Sequence, residues 1–260
     1  MNILFIGDVV GEQGCTALRK ILPSLKQKYT ADVVIVNGEN SAKGNGITPD
    51  SADWLFAAGA DLITGGNHSF RRREMYARYE TDPFVLRPAN YPKTAPGVGV
   101  GIVDKGRFQV GVISVMGQLY LPATRCPFEV MEECVAALKD QGCKIIVVDF
   151  HGEATSEKKA VGYEYDGRIT ALLGTHTHVQ TADARILPKG TAYITDVGMC
   201  GPYESVLGVK KEQSIALLKE KLPVRFETPD GECRVDGVVV SVEEKTGLAT
   251  GIEPFYIMVK

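Results

Sequence analysis

A chain of 260 residues, 44% hydrophobic and 23% charged, has the composition of a folded globular protein and the length to bury a sizeable core. A net charge of −3 and a pI near 5.9 argue against a surface built to coat nucleic acid, but leave room for a small phosphorylated ligand at a local positive centre. No stretch approaches the roughly 18 uninterrupted apolar residues of a membrane span, and MNILFIGDVV lacks the basic region and cleavage site of a secretory signal, so a cytoplasmic setting is expected.

The first apolar run, NILFIGD, reads as a strand, and CTALRKILPSLKQKY as a helix interrupted or kinked near Pro23. DVVIVNGEN is a second strand, PDSADWLFAAGA a helix, and DLITGGNH a third strand. Arg71, Arg72 and Arg73 open the next helix-like stretch and are read as a solvated face, with phosphate binding as the alternative. GVGVG at 97–101 lacks the full spacing of a dinucleotide fingerprint and is read as strand or turn.

FVLRPANY, FQVGVISVMG, a helix over about 127–141, KIIVVDFHGE, ALLGTHTH and TAYITDVGM follow in order. Cys126, Cys134 and Cys143 flank or lie in that helical stretch, and the six cysteines, with no C-x-x-C pair, are expected to be thiols. Apolar runs buried on both faces and joined by helices point to an α/β fold rich in parallel sheet. Residues 220–260 alternate apolar and polar around PDGE and KTG, and are expected to be mostly antiparallel strands completing a second sheet of one domain spanning 1–260.

What the strands end in carries the chemistry. Asp8, Glu39 with Asn40, Asn67 with His68, His151, and His176 with His178 all stand at the ends of apolar runs. In open α/β sheets ligands bind beyond the carboxyl ends of strands, and all four histidines of the chain fall in this set. Caps and turns explain such residues one at a time, but not this exhaustion of the histidines. His176 and His178, one residue apart, would share a face if the chain stayed extended there. Without cysteine ligands, imidazole mixed with carboxylate and amide oxygen suits Fe, Mn, Zn or Co in an open site. The candidates are too many for one ion and suit two, about 3.5–4 Å apart, sharing a carboxylate.

The order GD, GEN, GGNH, a lone strand-end His and GTHTH resembles that of the calcineurin-like metallophosphoesterases. FIGDVVG, VNGENSAKGNGIT, RPANYP and GTHTHVQTADARILPKGTAYITDVGMCGP resemble one bacterial cytoplasmic branch, the YmdB-like phosphodiesterases, over nearly the whole chain. The superfamily's Asp-x-His is here Asp8-Val9-Val10, and its bridging Asp is replaced by Glu39, beside Asn40. The resemblance implies a metallo-dependent phosphatase fold, an α/β two-sheet sandwich flanked by helices in α-β-β-α layers.

It further implies that Asp8, Glu39, Asn40 and His178 bind one metal, and Glu39, Asn67, His151 and His176 the second. His68 would protonate the leaving oxygen, or else only orient Asn67. The expected cofactors are two divalent transition ions, iron first, then manganese or zinc. The expected reaction is hydrolysis of 2′,3′-cyclic nucleotides, and of 3′,5′-cyclic ones in addition, by a metal-bridging hydroxide. A phosphomonoesterase acting on a small phosphorylated metabolite and a non-catalytic nucleotide sensor are the alternatives. Partners are then the small cyclic nucleotide or phosphodiester and a second copy in a homo-oligomer, with no membrane and no stable nucleic-acid complex.

Overall fold

The structure, a computed structural model, describes residues 1–122 and 124–260. The first half of the chain gives β1 (Asn2–Ile6), β2 (Asp8–Val9), α1 (Gly11–Lys28), β3 (Val33–Asn37), α2 (Pro49–Ala58), β4 (Leu62–Thr64), a 3₁₀ turn (Arg73–Met75) and α3 (Tyr76–Thr81). β5 (Val100–Asp104), β6 (Gln109–Met116), α4 (Pro127–Asp140), β7 (Ile145–His151), α5 (Thr155–Glu164) and β8 (Ala171–Thr175) follow. β9 (Arg185–Ile186), β10 (Ala192–Ile194), β11 (Met199–Pro202), α6 (Lys211–Glu220), β12 (Cys233–Val242) and β13 (Ala249–Val259) complete it.

Two sheets result. The first has the order β2-β11-β12-β1-β3-β4, with β13 also paired to β12, and the second β5-β6-β7-β8-β10-β9. β1, β3 and β4 run parallel to one another, as do β6, β7, β8 and β10. Residues of β1 alternate strictly in destination. Ile3 and Phe5 pack between the sheets with Val110, Val147 and Leu173, whereas Leu4 and Ile6 face Leu18, Leu22 and Leu55 of α1 and α2. The second sheet does the same, its Val148, Phe150 and Leu172 packing on Met131 and Val135 of α4 and Val161 of α5. These are the α-β-β-α layers.

Three expectations change. The C-terminal strands join the sheet of β1, not that of the central strands: Gly237–Ser241 of β12 pairs antiparallel with β1, and Cys233–Val235 pairs with β11. Strand partners lie far apart in sequence, so alternation marks these residues as strand without saying beside which strand. α1 runs on through Pro23, with Leu18, Leu22 and Leu25 buried on one face that outweighs the lost backbone bond. FVLRPANY forms no named strand. Its Phe84 oxygen and Leu86 nitrogen bond Ile63 of β4, and Ala89 bonds Ser114 of β6, so it laces the sheets together. The six cysteines are free, with Cys126 and Cys134 half-buried and the other four buried.

Candidate metal centre

Strand ends of both sheets meet at one place. Asp8 lies in β2, Glu39 and Asn40 follow β3, and Asn67 and His68 follow β4, all from the first sheet. From the second sheet, His151 is the last residue of β7, and His176 and His178 follow β8. Every one of these sequence-predicted residues is brought together. Glu39 is the hub: its Oε2 lies 3.3 Å from His151 Nε2 and accepts from the His68 backbone N–H at 3.0 Å. Its Oε1 accepts from Asn40 Nδ2 at 2.8 Å and lies 3.1 Å from His68 Nδ1. His151 Nε2 lies 2.9 Å from Asn67 Oδ1 and 3.1 Å from His176 Nδ1. On the other flank, Asp8 Oδ1 stands 3.7 Å from His178 Nε2.

His176 and His178 do not share a face, because β8 stops at Thr175 and both histidines have left-handed backbone, φ 99° and 62°. Their rings therefore part, one toward His151 and the other toward Asp8 and Asn40.

The outer nitrogen of each ring fixes the state of the inner one. Thr175 Oγ1 gives its single proton to Asp149 Oδ1 at 2.6 Å, so it accepts from His151 Nδ1–H at 2.9 Å. His178 Nδ1–H donates to the Leu207 carbonyl at 3.0 Å, and His176 Nε2–H faces the Glu153 carboxylate at 3.1 Å. All three inner nitrogens are then lone pairs: those of His151 and His176 face one another and the Asn67 oxygen, and that of His178 faces Asp8 Oδ1 and the Asn40 amide nitrogen. Burial acts in the same direction, driving the His151 imidazole down to about 3 against the attraction of Glu39, and lowering His176 and His178 as well.

The carboxylates add further acceptors, and one of their oxygens is left without a donor. Asp8 Oδ1 is fully buried and, among the described residues, has no hydrogen-bond partner. Burial first, then the charge of Glu39, pushes its carboxyl well above the usual range. Burial works the same way on Glu39, but His151 and the His68 bonds outweigh it and hold that carboxyl low. A buried carboxylate oxygen without a donor, beside an imidazole lone pair, is what a cation would satisfy. Donor atoms of Glu39, His151 and His176 already lie within 4.8 Å of one another. The donor chemistry thus fits divalent transition-metal ions.

Several supporting residues escaped the sequence reading. Asp149, buried and pushed up to about 7 by its burial, accepts from Asn37 Nδ2 at 2.8 Å and Thr64 Oγ1 at 2.5 Å, as well as from Thr175. It was visible as the one charge inside IIVVDF. Lys158, fully buried, donates to the Thr175 carbonyl at 2.8 Å and to Asp196 Oδ2 at 2.9 Å, and nothing in SEKKAV marks it. Arg72 is not free for a phosphate. Its guanidinium bonds the Asn45 carbonyl at 2.9 Å and the Lys43 carbonyl, bracing the loop after Asn40. Arg71 and Arg73 are exposed.

This layering, with its polar cluster at facing strand ends, defines the metallo-dependent phosphatase fold of calcineurin-like phosphoesterases. One of these, YfkN of Bacillus subtilis, superposes with a TM-score of 0.59 at 13% identity, covering 98% of this chain and 90% of that one. The chain belongs to the YmdB-like family, whose family model matches residues 4–255. It is 46% identical over 257 residues to the 2′,3′-cyclic-nucleotide 2′-phosphodiesterase of Bacillus subtilis (strain 168), covering 99% of this chain and 97% of that protein. A phosphatase/phosphodiesterase assignment made for a Mycoplasma pneumoniae protein goes with 38% identity over 95% of this chain and 89% of that one. Among solved structures, a hypothetical protein from Thermus thermophilus superposes with a TM-score of 0.92 at 39% identity, each chain covered to 99%. A novel phosphatase from Mycoplasma pneumoniae gives 0.93 at 36%, covering 99% of this chain and 93% of that one.

Proposed function

We propose that the protein is a metal-dependent phosphodiesterase that hydrolyses 2′,3′-cyclic nucleotides, with 3′,5′-cyclic nucleotides as further substrates. The orphaned, buried Asp8 Oδ1 beside the His178 Nε2 lone pair is the observation that carries this reading. The Bacillus subtilis relative's name supports the substrate class. Asp8, Glu39, Asn40 and His178 would hold one divalent ion, and Glu39, Asn67, His151 and His176 the other, with Glu39 shared. Bound there, such ions offset phosphate charge and lower the pKa of water. Iron is the expected metal, with manganese and zinc as alternatives.

His68 supplies the proton. Its Nδ1 is tied to Asn40 Oδ1 at 2.9 Å and Glu39 Oε1 at 3.1 Å, which fixes the ring and leaves Nε2 for the leaving oxygen. Water adds across the P–O bond: its oxygen forms the new P–O bond, the ester P–O bond breaks, the departing oxygen takes the Nε2 proton of a doubly protonated His68 ring, and the proton released from water restores that ring. His68→Ala should lower kcat by about 10²–10⁴-fold with metal content unchanged. Unimpaired turnover at saturating metal would sink the assignment.

The names of the Mycoplasma relatives carry phosphatase beside phosphodiesterase, which keeps a second reading, a phosphomonoesterase, that comparison of monoester with diester substrates separates. Among the described residues no helix is long and apolar enough to cross a membrane. A cytoplasmic site of action belongs to the proposal through the resemblance to a cytoplasmic branch, and cell fractionation tests it. The expected homo-oligomer is tested by light scattering, where a monomer at micromolar concentration would remove it.

A further inference from the structure

The cleft over the proposed metal centre, about 300 Å³, is lined by Glu39, Asn40, His68, Glu153, His176 and His178. A second hollow of about 170 Å³ opens off it, sharing Asn40, His68, His178 and Leu207. Its farther walls are unlike the first. Val10, Ala42, Val209 and Phe226 make them apolar, and Asn45 and Thr228 add neutral polar groups. Among its described lining residues there is no lysine or arginine; two cations nearby are already engaged, Lys210 with the Glu227 carboxylate and Arg72 with the Asn45 and Lys43 carbonyls, so the walls are uncharged or paired.

Two residues at this hollow are costly to keep unless something lies against them. Phe226 is 42% exposed and, among the described residues, belongs to no aromatic pair. It is not loose: bonds from Lys210 N to the Glu227 carbonyl (2.9 Å) and from Glu227 N to Gln213 Oε1 (2.7 Å) tie its neighbour to the start of α6. Leu207 is 48% exposed and has a left-handed backbone, φ 54°, which a branched apolar residue rarely adopts. Backbone bonds between Val206 and Val209 close the turn that holds it there, and its carbonyl is the one that orients His178. A strained residue thus joins the apolar wall to the proposed metal centre.

We propose that this hollow is the nucleobase subsite, with Phe226 as the residue that selects for a base. The inference rests on the phosphodiesterase reading and adds to it where the rest of the substrate goes. In a 2′,3′-cyclic nucleotide the base sits on the carbon next to the one bearing the 2′ oxygen. If His68 gives its proton to that oxygen as the P–O2′ bond breaks, the base is held one carbon from the atom His68 serves, and the hollow that His68 lines is the space beside it. A flat, uncharged heterocycle matches the walls: a ring face for Phe226, and edge groups for Asn45 and Thr228.

The test uses the full chain loaded with Mn²⁺ and two substrates, adenosine 2′,3′-cyclic phosphate and methyl β-D-ribofuranoside 2,3-cyclic phosphate, which has methoxy in place of the base. The wild type should prefer the nucleotide. Phe226→Ala should lower the nucleotide-to-methyl ratio of kcat/KM about tenfold, chiefly through the nucleotide's KM, and Phe226→Trp should keep the ratio. Saturation-transfer NMR of adenosine on metal-free protein should label the base protons in the wild type and lose that signal in Phe226→Ala. Equal losses on both substrates, an unchanged ratio, or no base labelling in the wild type would each overturn the subsite. Wild-type failure to cleave either substrate would instead overturn the phosphodiesterase reading, and the subsite with it.

Discussion

Gly66 shows how little tolerance the centre has at the level of single atoms. A Cβ built there would stand 2.2 Å from Glu39 Oε2 and 2.4 Å from His151 Nε2, closer than any real contact. Both atoms belong to the proposed metal ligands, and neither side chain is free to retreat, since both are fully buried. The constraint is steric, so the fold should survive while the ligand geometry does not. Gly66→Ala is therefore expected to weaken metal binding by about 10–100-fold, read by competition with a chromophoric chelator, and to leave the circular dichroism spectrum unchanged. Wild-type metal affinity in this variant would show that the centre is looser than its packing implies. Gly106, whose Cβ would meet nothing within 4 Å, is the control: its alanine variant should bind metal as the wild type does.

At the scale of elements, the turn that carries His176 and His178 is held from two sides. Lys158 of α5 donates to the Thr175 carbonyl at the end of β8 and to Asp196 just after β10. Asp196 in turn accepts from Thr177 N at 3.0 Å and Thr177 Oγ1 at 2.7 Å. This clamp offsets the left-handed backbone of both histidines. Removing one partner of a fully buried pair leaves the other charge stranded, so Lys158→Met should cost about 3–5 kcal/mol in urea unfolding. A loss below about 1 kcal/mol would mean the clamp is dispensable. None of this was readable from SEKKAV or THTHVQ, because a buried lysine looks like any helix lysine until its distant partner is known. The strands themselves were legible, since Ile3–Ile6 and the run from Ile145 to Val148 are apolar without interruption, and so were the polar residues that end them. Local pattern names the ligand candidates, whereas long-range contact decides their orientation, which is why the candidates could be gathered from the strand ends and the same-face geometry failed.

Across the whole molecule, the centre sits astride the joint between the sheets. Asp8, Glu39, Asn40 and Asn67 come from the first sheet, and His151, His176 and His178 from the second. Away from it, the sheets are held by apolar packing of Ile3, Phe5, Leu62, Val112, Val147 and Leu173, which owes nothing to a metal. The metal-free protein should therefore be folded, yet carry repelling carboxylates and facing lone pairs at one end of its sheet interface. Ions that bind only the folded state stabilise it by mass action, about 2.7 kcal/mol for a single site at one hundred times its dissociation constant. For a chain of this size that corresponds to a rise in Tm of about 5–10 °C. Calorimetry of chelator-stripped protein, before and after Mn²⁺ is restored, should show that rise in the wild type and a much smaller one in Asp8→Asn. Equal rises in both would place the ion elsewhere, because Asp8 Oδ1 is a buried, unpartnered atom that a cation in the proposed site would relieve. A stripped protein that is unfolded would show instead that the apolar joint cannot hold the sheets alone.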